Sequence, residues 1–340
     1  MPNTIYDIAK AADVSIATVS RVFNDSDSVK KSTRDKILKI ADEMGYHPHV
    51  YAQSLASKKR NRIMMLVPVV SNYYLTEILK GVQDGMSKYN FELNIVNINQ
   101  QHSPFQQVEK ILKKRWAEGY LTVSLHFSDA ELKKLKKYGS PISLIDDHSE
   151  HFDSFSFDNC TGAYLATKHL LSKGYKRIAV LSANEHSIPI VERLNGYKKA
   201  LKDFDIPFSD KLILKGDISA FDGFSEQSGY EAMIKALEMS PPPDACFSTS
   251  DIKAVGAQKA MREHKITVPL ISFDNIPVAE YIGLSTIEQP MYDMGLQATK
   301  KLVKRIQNND QRFSISNEIF EPNLIIRESS NPQISKSFEV

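Results

Sequence analysis

The residues from 16 to 21 combine short side chains with a single arginine, a set suited to contacts with the edges of DNA bases. Short side chains let a helix lie deep in the major groove and touch thymine methyl groups, and an arginine can donate two hydrogen bonds to guanine. At helical spacing, the outward positions of this segment are Ile16, Ala17, Thr18, Ser20 and Arg21. The pattern therefore predicts a base-reading helix.

A first helix and a tight turn are predicted just before this segment. Thr4 and Asp7 have the spacing of a capping box, and the apolar residues that follow recur at helical spacing. Asp13 tolerates a left-handed backbone and is expected to break this helix. Ser15 is expected to cap the second helix, which is predicted from residue 16 to about residue 24.

A third helix is expected to support the other two. Ser32 and Asp35 are predicted to form a second capping box, and Gly45 is predicted to end the helix. Its inward residues are predicted to be Ile37, Leu38, Ile40, Ala41 and Met44. Two helices joined by a short turn and supported by a third describe a helix-turn-helix, although the spacing also fits any small three-helix bundle.

Polar groups near the helix N-termini are placed to hold phosphates rather than to read bases. They are Thr4, Tyr6, Ser15, Asn24, Ser32, Thr33 and Arg34. The basic residues are also concentrated at this end of the chain. Residues 1–62 hold 11 Lys and Arg against 7 Asp and Glu, although the whole chain has a net charge of only +2. This asymmetry is typical of a nucleic-acid-binding module joined to a neutral body.

Three segments form a long ordered motif, TIYDIAKAADVSIATVSRVFN at 4–24, VKKSTR at 29–34 and MGYHP at 44–48. The motif resembles the headpiece of the LacI/GalR repressors, which implies sequence-specific binding to double-stranded DNA. Asp13 stands where a glycine is common, and His49 stands where an asparagine is common. The DNA-binding residues are predicted to be Thr4, Tyr6, Ser15, Ile16, Ala17, Thr18, Ser20, Arg21, Asn24, Thr33, His49, Leu55 and Ala56.

Residues 47–60 read as a short, weak helix followed by a basic linker. An isolated helix of this length is marginal in water. The resemblance implies a hinge helix that orders on DNA and pairs with its dimer mate in the minor groove. Leu55 would then be the apolar wedge between base pairs, followed by Ala56. Residues 58–62 remain open to a second interpretation, a solvated linker.

From residue 61 the sequence alternates apolar strands and amphipathic helices, which predicts doubly wound parallel sheets. Strands are predicted at 63–70 and 91–97, and helices at 75–88 and 193–204. The remaining chain is too long for a single core, so two α/β lobes are expected. No dinucleotide, Walker or G-x-S-x-G motif appears in the sequence, so neither an enzyme nor a bound cofactor is predicted.

Segments of this body resemble the periplasmic-binding-protein-like core of the same family, among them VPVVSNYY at 67–74, DNCTGA at 158–163 and TIEQP at 286–290. The resemblance implies a headpiece at 1–46 with its motif at about 5–24, a hinge and linker at 47–60, and an effector-binding and dimerisation core at 61–340. The N-lobe is expected at about 61–157 plus 290–320. The C-lobe is expected at about 158–289 plus 321–330, with a tail at 331–340.

The resemblance also implies an effector site at the carboxyl ends of the strands, where open α/β sheets bind ligands. Its predicted residues are Tyr73, Tyr74, Asp146, Arg193, Ser250, Asp274 and Gln289. Tyr73 replaces a usual proline, Ser250 replaces a usual asparagine, and the segment between Pro269 and Asp274 is short. Arg193 is predicted to open a helix and point into the cleft. Alternatively, Arg193 and the aspartates form ion pairs between lobes or at helix ends.

Aromatic faces, carboxylates and a guanidinium suit a polyhydroxylated ligand, so a sugar or sugar phosphate is the predicted effector. His148 and His151 lack a third metal ligand and are predicted to lie in a solvated loop, and the two cysteines show no metal-ligand spacing. The N-terminus lacks a secretory signal and no run of residues is apolar enough to span a bilayer, so a cytoplasmic location is expected.

The sequence predicts a homodimeric repressor that binds a palindromic operator. It leaves open whether the protein activates transcription instead, and whether the effector releases the protein from DNA or recruits it. Two other classes of protein are the alternatives. A solute-binding protein for transport needs a signal peptide and leaves residues 1–60 without a purpose. An α/β enzyme needs a nucleophile and base, or a metal set, that the sequence does not offer.

Overall fold

The computed structural model describes residues 3–23, 28–46, 61–68, 73–99, 101–185, 187–219, 221–308 and 314–331. Within these ranges the chain forms two compact units, one containing the N-terminal helices and the other containing the α/β body from residue 63. The predicted contacts of Asn24, His49, Leu55 and Ala56, and the predicted hinge helix, lie outside the described residues.

Three helices form the N-terminal unit, α1 (Ile5–Ala12), α2 (Ile16–Phe23) and α3 (Lys31–Glu43). The predicted capping box is present at α1, where Thr4 and Asp7 bond each other's backbone N–H groups. Asp13 ends α1 with a φ of 54°, and the Ser15 hydroxyl accepts a hydrogen bond of 3.1 Å from the Thr18 N–H. These local predictions are confirmed because each depends on residues within four positions of one another.

Two predictions for α3 are wrong. The helix begins at Lys31 with Lys30 as its N-cap, so Ser32 lies inside the first turn and forms no capping box with Asp35. Leu38 is 43% exposed rather than inward. Ile37 and Ala41, one helical turn apart, already face the bundle, and Leu38 is rotated away from that line. The apolar core of the unit consists of Ile8, Ala9, Ala12, Val19, Val22, Ile37 and Ala41.

The first lobe of the α/β unit is a six-stranded sheet with the strand order β11-β5-β4-β3-β1-β2. Its strands are β1 (Arg62–Val67), β2 (Glu92–Asn97), β3 (Gly119–Val123), β4 (Ile142–Ile145), β5 (Asp153–Phe157) and β11 (Asn317–Phe320). The helices of this lobe are α4 (Tyr73–Met86), α5 (Pro104–Lys114), α6 (Asp129–Lys136) and α12 (Met291–Asn308). The apolar run of β1 is buried on both faces, as its sequence predicted.

The second lobe is another six-stranded sheet, with the order β12-β10-β9-β8-β6-β7. Its strands are β6 (Ile178–Ser182), β7 (Ile213–Lys215), β8 (Ala245–Ser248), β9 (Leu270–Asp274), β10 (Ser285–Glu288) and β12 (Asn323–Ile325). Its helices are α7 (Asn159–Ser172), α8 (Ile188–Asp203), α9 (Glu226–Leu237), α10 (Asp251–Glu263) and α11 (Pro277–Tyr281). Strand β12 runs antiparallel to β10, whereas β6, β7, β8, β9 and β10 pair in parallel.

The predicted two-lobed, parallel α/β architecture is therefore confirmed. The chain passes between the lobes after β5, after β10 and after β11. Helix α8 begins five residues before the predicted position, because Pro189 in its first turn starts the helix ahead of Arg193. Arg193 therefore lies inside the helix rather than at its opening. No helix among the described ranges is long and apolar enough to cross a membrane.

Candidate functional site

Helix α2 presents the predicted base-reading residues on one open face. Ile16, Ala17 and Arg21 are exposed, Thr18 and Ser20 are partly exposed, and the opposite side of the helix is buried in the bundle. Because Ile16, Ala17 and Arg21 are exposed, their side chains are available to a partner. Thr18 is oriented by a 2.8 Å hydrogen bond between its hydroxyl and that of Ser15.

The groups predicted to hold phosphates lie around the same unit. Tyr6 is 67% exposed and Thr33 is half-buried. The Thr4 hydroxyl donates a 2.6 Å hydrogen bond to Asp7, and this bond with the Thr4 backbone N–H keeps the pKa of Asp7 below its ordinary value. A fixed carboxylate at the N-terminus of α1 stabilises the helix dipole there.

In the α/β unit, Tyr74 and Asp146 come together where α4 begins and β4 ends. The Ser124 hydroxyl donates a 2.6 Å hydrogen bond to Asp146, which has a left-handed φ of 57°. The Tyr74 hydroxyl is buried close to the Ser124 side chain, but it forms no hydrogen bond of normal geometry among the described residues. Burial, followed by the charge of Asp146, raises the pKa of Tyr74 well above its ordinary value, so this hydroxyl stays protonated.

Arg193 is buried in the second lobe and has partners on several sides. Its Nε donates to Asn159 Oδ1 at 2.9 Å and its Nη1 donates to the Thr249 carbonyl. The guanidinium also lies 3.8 Å from the centre of the Phe273 ring. Gly196, one turn along α8, allows α8 to pack closely against α7. A Cβ at this position would lie 2.1 Å from the Cys160 carbonyl oxygen of α7.

Asp274 and Gln289 complete this cluster. Arg193 Nη1 lies 3.7 Å from Asp274 Oδ1, and Gln289 Nε2 donates to the same oxygen at 2.6 Å. Burial raises the pKa of Asp274 to about 6, and the charge of Arg193 opposes that rise. Arg193 and Asp274 belong to the same lobe and Arg193 lies inside α8, so this ion pair differs from the alternative of a pair between lobes or at a helix end.

The other two predicted residues differ in their surroundings. Ser250 is the N-cap residue of α10, next to the Thr249 carbonyl that Arg193 binds, and its buried hydroxyl has no partner in the described part of the chain. Tyr73 is 49% exposed. Electrostatic coupling links Tyr74, Asp146, Arg193 and Asp274, so the fold brings together residues separated by up to 200 positions.

A cleft of about 440 Å³ adjoins this cluster. It shares Asp146 with the predicted set, and it is also lined by Asn159, the partner of Arg193. Its other lining residues are His126, Asp147, His148, Ser156, Phe157, Asp158, Cys160, Ile188, Pro189, Glu192 and Ile319. Apolar and polar groups are therefore mixed around it, as in sites for small polar organic ligands.

Sequence reasoning missed several of these lining residues. Asp147 and Glu192 are chain neighbours of the predicted Asp146 and Arg193, and Asn159 lies in a segment already noted for its resemblance. Their position next to predicted site residues was the signal in the sequence that could have identified them. His148 is exposed as predicted, but His151 is not solvated, because its Nε2 lies 2.7 Å from Asp129 Oδ1 and its side chain is only 14% exposed.

Comparison with known proteins bears on both units. Residues 4–49 match the family model described as bacterial regulatory proteins, lacI family, and residues 167–330 match a periplasmic-binding-protein-like domain. The chain is 32% identical over 322 residues to the catabolite control protein A of Priestia megaterium, covering 92% of this chain and 95% of that protein.

Solved structures show the same fold. A complex of the transcriptional regulator CelR with cellobiose matches with a TM-score of 0.69 and 26% identity, covering 96% of this chain and 99% of that one. A lac repressor dimer bound to operator and the anti-inducer ONPF matches with a TM-score of 0.78 and 23% identity, covering 97% and 99%. From the helix-turn-helix, the two-lobed core and these similarities together, we conclude that the chain belongs to the LacI family of bacterial regulatory proteins and is a DNA-binding transcriptional regulator.

Proposed function

We propose that the protein is a homodimeric repressor that binds a palindromic operator and is controlled by a carbohydrate held between the lobes of its core. It acts in the cytoplasm and has no catalytic activity of its own. On the DNA, Thr18, Ser20 and Arg21 contact base edges, and Thr4, Tyr6 and Thr33 contact phosphates. Two-fold symmetry of the protein matches two-fold symmetry of the operator.

The observation that carries the effector proposal is the pair of unsatisfied hydroxyls in the cluster around Arg193. The Tyr74 and Ser250 hydroxyls are buried without a partner among the described residues. A buried polar group without a hydrogen bond lowers stability, so both positions favour a ligand that supplies one. A sugar offers several hydroxyl groups that can donate to Asp146 and accept from Tyr74.

The effector acts through the two lobes, which the three crossings connect. A ligand that binds one arrangement of the lobes more tightly than another shifts the population toward it, by no more than the difference between the two affinities. In a dimer, that arrangement sets the distance between the two hinges. The distance decides whether both headpieces meet their half-sites on one face of the DNA.

The central test uses Tyr74→Phe, which removes one unpaired hydroxyl and leaves the ring in place. Cellobiose, ribose, glucose 6-phosphate and hypoxanthine are titrated calorimetrically into the full chain, and operator affinity is measured by gel shift with genomic fragments. We expect the variant to bind operator like the wild type and to bind the carbohydrate about fivefold to tenfold more weakly, the loss of one hydrogen bond. Tyr138→Phe is the control, because its hydroxyl donates to Glu109 outside the cleft lining.

A second variant tests the buried guanidinium. Arg193→Ala is expected to abolish the effect of the carbohydrate on operator affinity while operator binding itself persists. Loss of operator binding in this variant would show that Arg193 is structural. Binding of hypoxanthine alone from the panel would refute the carbohydrate proposal, and failure to bind any genomic fragment would refute the repressor proposal.

A further inference from the structure

The cleft beside the effector residues carries an excess of negative charge. Among the described residues that line it, none is lysine or arginine, and four are carboxylates, namely Asp146, Asp147, Asp158 and Glu192. Its other titratable side chains in that part of the structure are His126, His148 and Cys160. A cavity with walls of one sign concentrates ligands of the opposite charge and repels those of its own.

Uncharged donors hold three of these carboxylates. Asp146 accepts from Ser124, Asp158 accepts from the Thr161 N–H at 2.8 Å, and Glu192 accepts from Asn159 Nδ2 at 2.9 Å. Two cations lie near the cleft: Lys199, whose charge acts on Cys160, and Arg193, which donates to the Asn159 oxygen and to the Thr249 carbonyl and lies 3.7 Å from Asp274. The negative charge of the cleft is therefore only partly compensated by the protein.

Asp147 is the least satisfied of the four. Its side chain is only 10% exposed, and its Oδ1 accepts from the His148 N–H at 2.9 Å and lies 4.0 Å from His126 Nδ1. Its Oδ2 is buried and forms no hydrogen bond of normal geometry among the described residues, although the Phe127 backbone N–H also stabilises the carboxylate. Burial raises the pKa values of both Asp147 and Glu192. A positive donor supplied by a ligand would relieve the cost of this buried carboxylate.

We propose that the cleft binds a ligand that carries a protonated amine beside hydroxyl groups, and that it discriminates against sugar phosphates. The inference rests on the proposed function, because it takes this cleft to be where the effector binds. An ammonium group donates three hydrogen bonds and neutralises part of the carboxylate charge at Asp147 and Glu192. Hydroxyl groups donate to Asp146, which lines the cleft, whereas a phosphate would be placed among like charges with no arginine or lysine in the described lining to hold it.

The test compares ligands that share a hexose ring and carry a positive, a neutral or a negative substituent. The 2-amino, neutral and 6-phosphate forms of glucose, galactose and mannose are titrated calorimetrically into the full chain at pH 6.5 and low salt. We expect the amine of the best-bound hexose to bind at least tenfold more tightly than its neutral form, which corresponds to about 1.4 kcal/mol. The phosphate of the same hexose is expected to bind at least tenfold more weakly than the neutral form.

Asp147→Asn assigns the preference to the cleft. This variant is expected to reduce the preference for the amine over the neutral sugar below threefold, whereas Glu109→Gln, on α5 outside the cleft lining, is expected to leave that preference at its wild-type value. Equal or tighter binding of the neutral or phosphorylated form overturns the inference, as does failure of every amine to bind or an undiminished preference in Asp147→Asn. If a neutral sugar or a sugar phosphate binds and alters operator affinity, the proposed function stands and only the amine inference falls.

Discussion

Lys253 offers a sharp test of how burial governs charge in this fold. It lies on α10, is fully buried, and donates to the Gly223 carbonyl at 2.9 Å and to the Ser228 hydroxyl at 2.8 Å. Burial lowers the pKa of Lys253 from its ordinary value of 10.5 to about 7. The change to test is Lys253→Met, which keeps the length of the side chain and removes the amine.

The pKa shift of Lys253 corresponds to roughly 5 kcal/mol of preference for the neutral form in the folded state. A lowered lysine pKa means that the folded protein binds fewer protons than the unfolded chain between about pH 7 and pH 10. The stability of the wild type therefore rises with pH in that window, by roughly 2 kcal/mol between pH 7 and pH 9. Below pH 7 both states are charged and the full penalty is present.

Lys253→Met escapes this penalty but leaves the Gly223 carbonyl and the Ser228 hydroxyl without the amine donor, at a cost of about 1–3 kcal/mol. We expect the variant to be more stable than the wild type by about 2 kcal/mol at pH 7. Its advantage is expected to shrink by about 2 kcal/mol at pH 9, a change of about 5 °C in relative Tm.

The assay is urea denaturation followed by circular dichroism at pH 6, 7, 8 and 9, with Tm measured in the same buffers. Lys259→Met is the matched control, because Lys259 is exposed on the same helix and pairs with Glu263 at 3.5 Å. Its change is expected to stay within about 0.5 kcal/mol at every pH. A stability advantage of Lys253→Met that stays constant from pH 7 to pH 9, or its absence at pH 7, would refute the reasoning.

Three further predictions concern the reading face, the packing of α7 on α8, and Asp274. Arg21→Ala is expected to weaken operator binding by about 1–3 kcal/mol with reduced discrimination among bases, measured by fluorescence anisotropy on matched and mutated operators, and Arg21→Lys should restore charge without restoring discrimination. Gly196→Ala is expected to lower the free energy of unfolding by about 1–3 kcal/mol, because the new Cβ would meet the Cys160 carbonyl at 2.1 Å. The control is Asn195→Ala at the exposed neighbouring position, which should change the midpoint of urea unfolding little. Because the pKa of Asp274 is raised to about 6 in the folded state, its contribution to the free energy of unfolding is present at low pH and is lost as the pH rises through 6. The Tm of Asp274→Asn relative to the wild type should therefore increase between pH 5 and pH 7, and a flat difference would contradict the assigned burial.

The sequence predicted most where the deciding interactions are short-range. The capping pair Thr4 and Asp7, the left-handed Asp13 and the cap at Ser15 involve only near neighbours, and all were foreseen. The buried strand β1 was equally predictable, because a continuous run of apolar residues indicates a strand that is buried on both faces. The failures at Ser32 and Leu38 come from choices between adjacent positions, which the packing of α3 against α1 and α2 decides.

For the ligand site, the sequence determined the chemical types of the residues and, through the family motif, which positions to examine. It did not determine that Arg193 is paired with Asp274 inside one lobe, or that the open cleft lies beside Asp147 and Glu192. Those facts depend on how closely α8 approaches α7 and on which carboxylates find donors after burial. Caps and turns depend on residues close together in the chain, so the sequence alone predicts them. Burial and charge compensation depend on contacts between distant segments, so only the tertiary structure determines them.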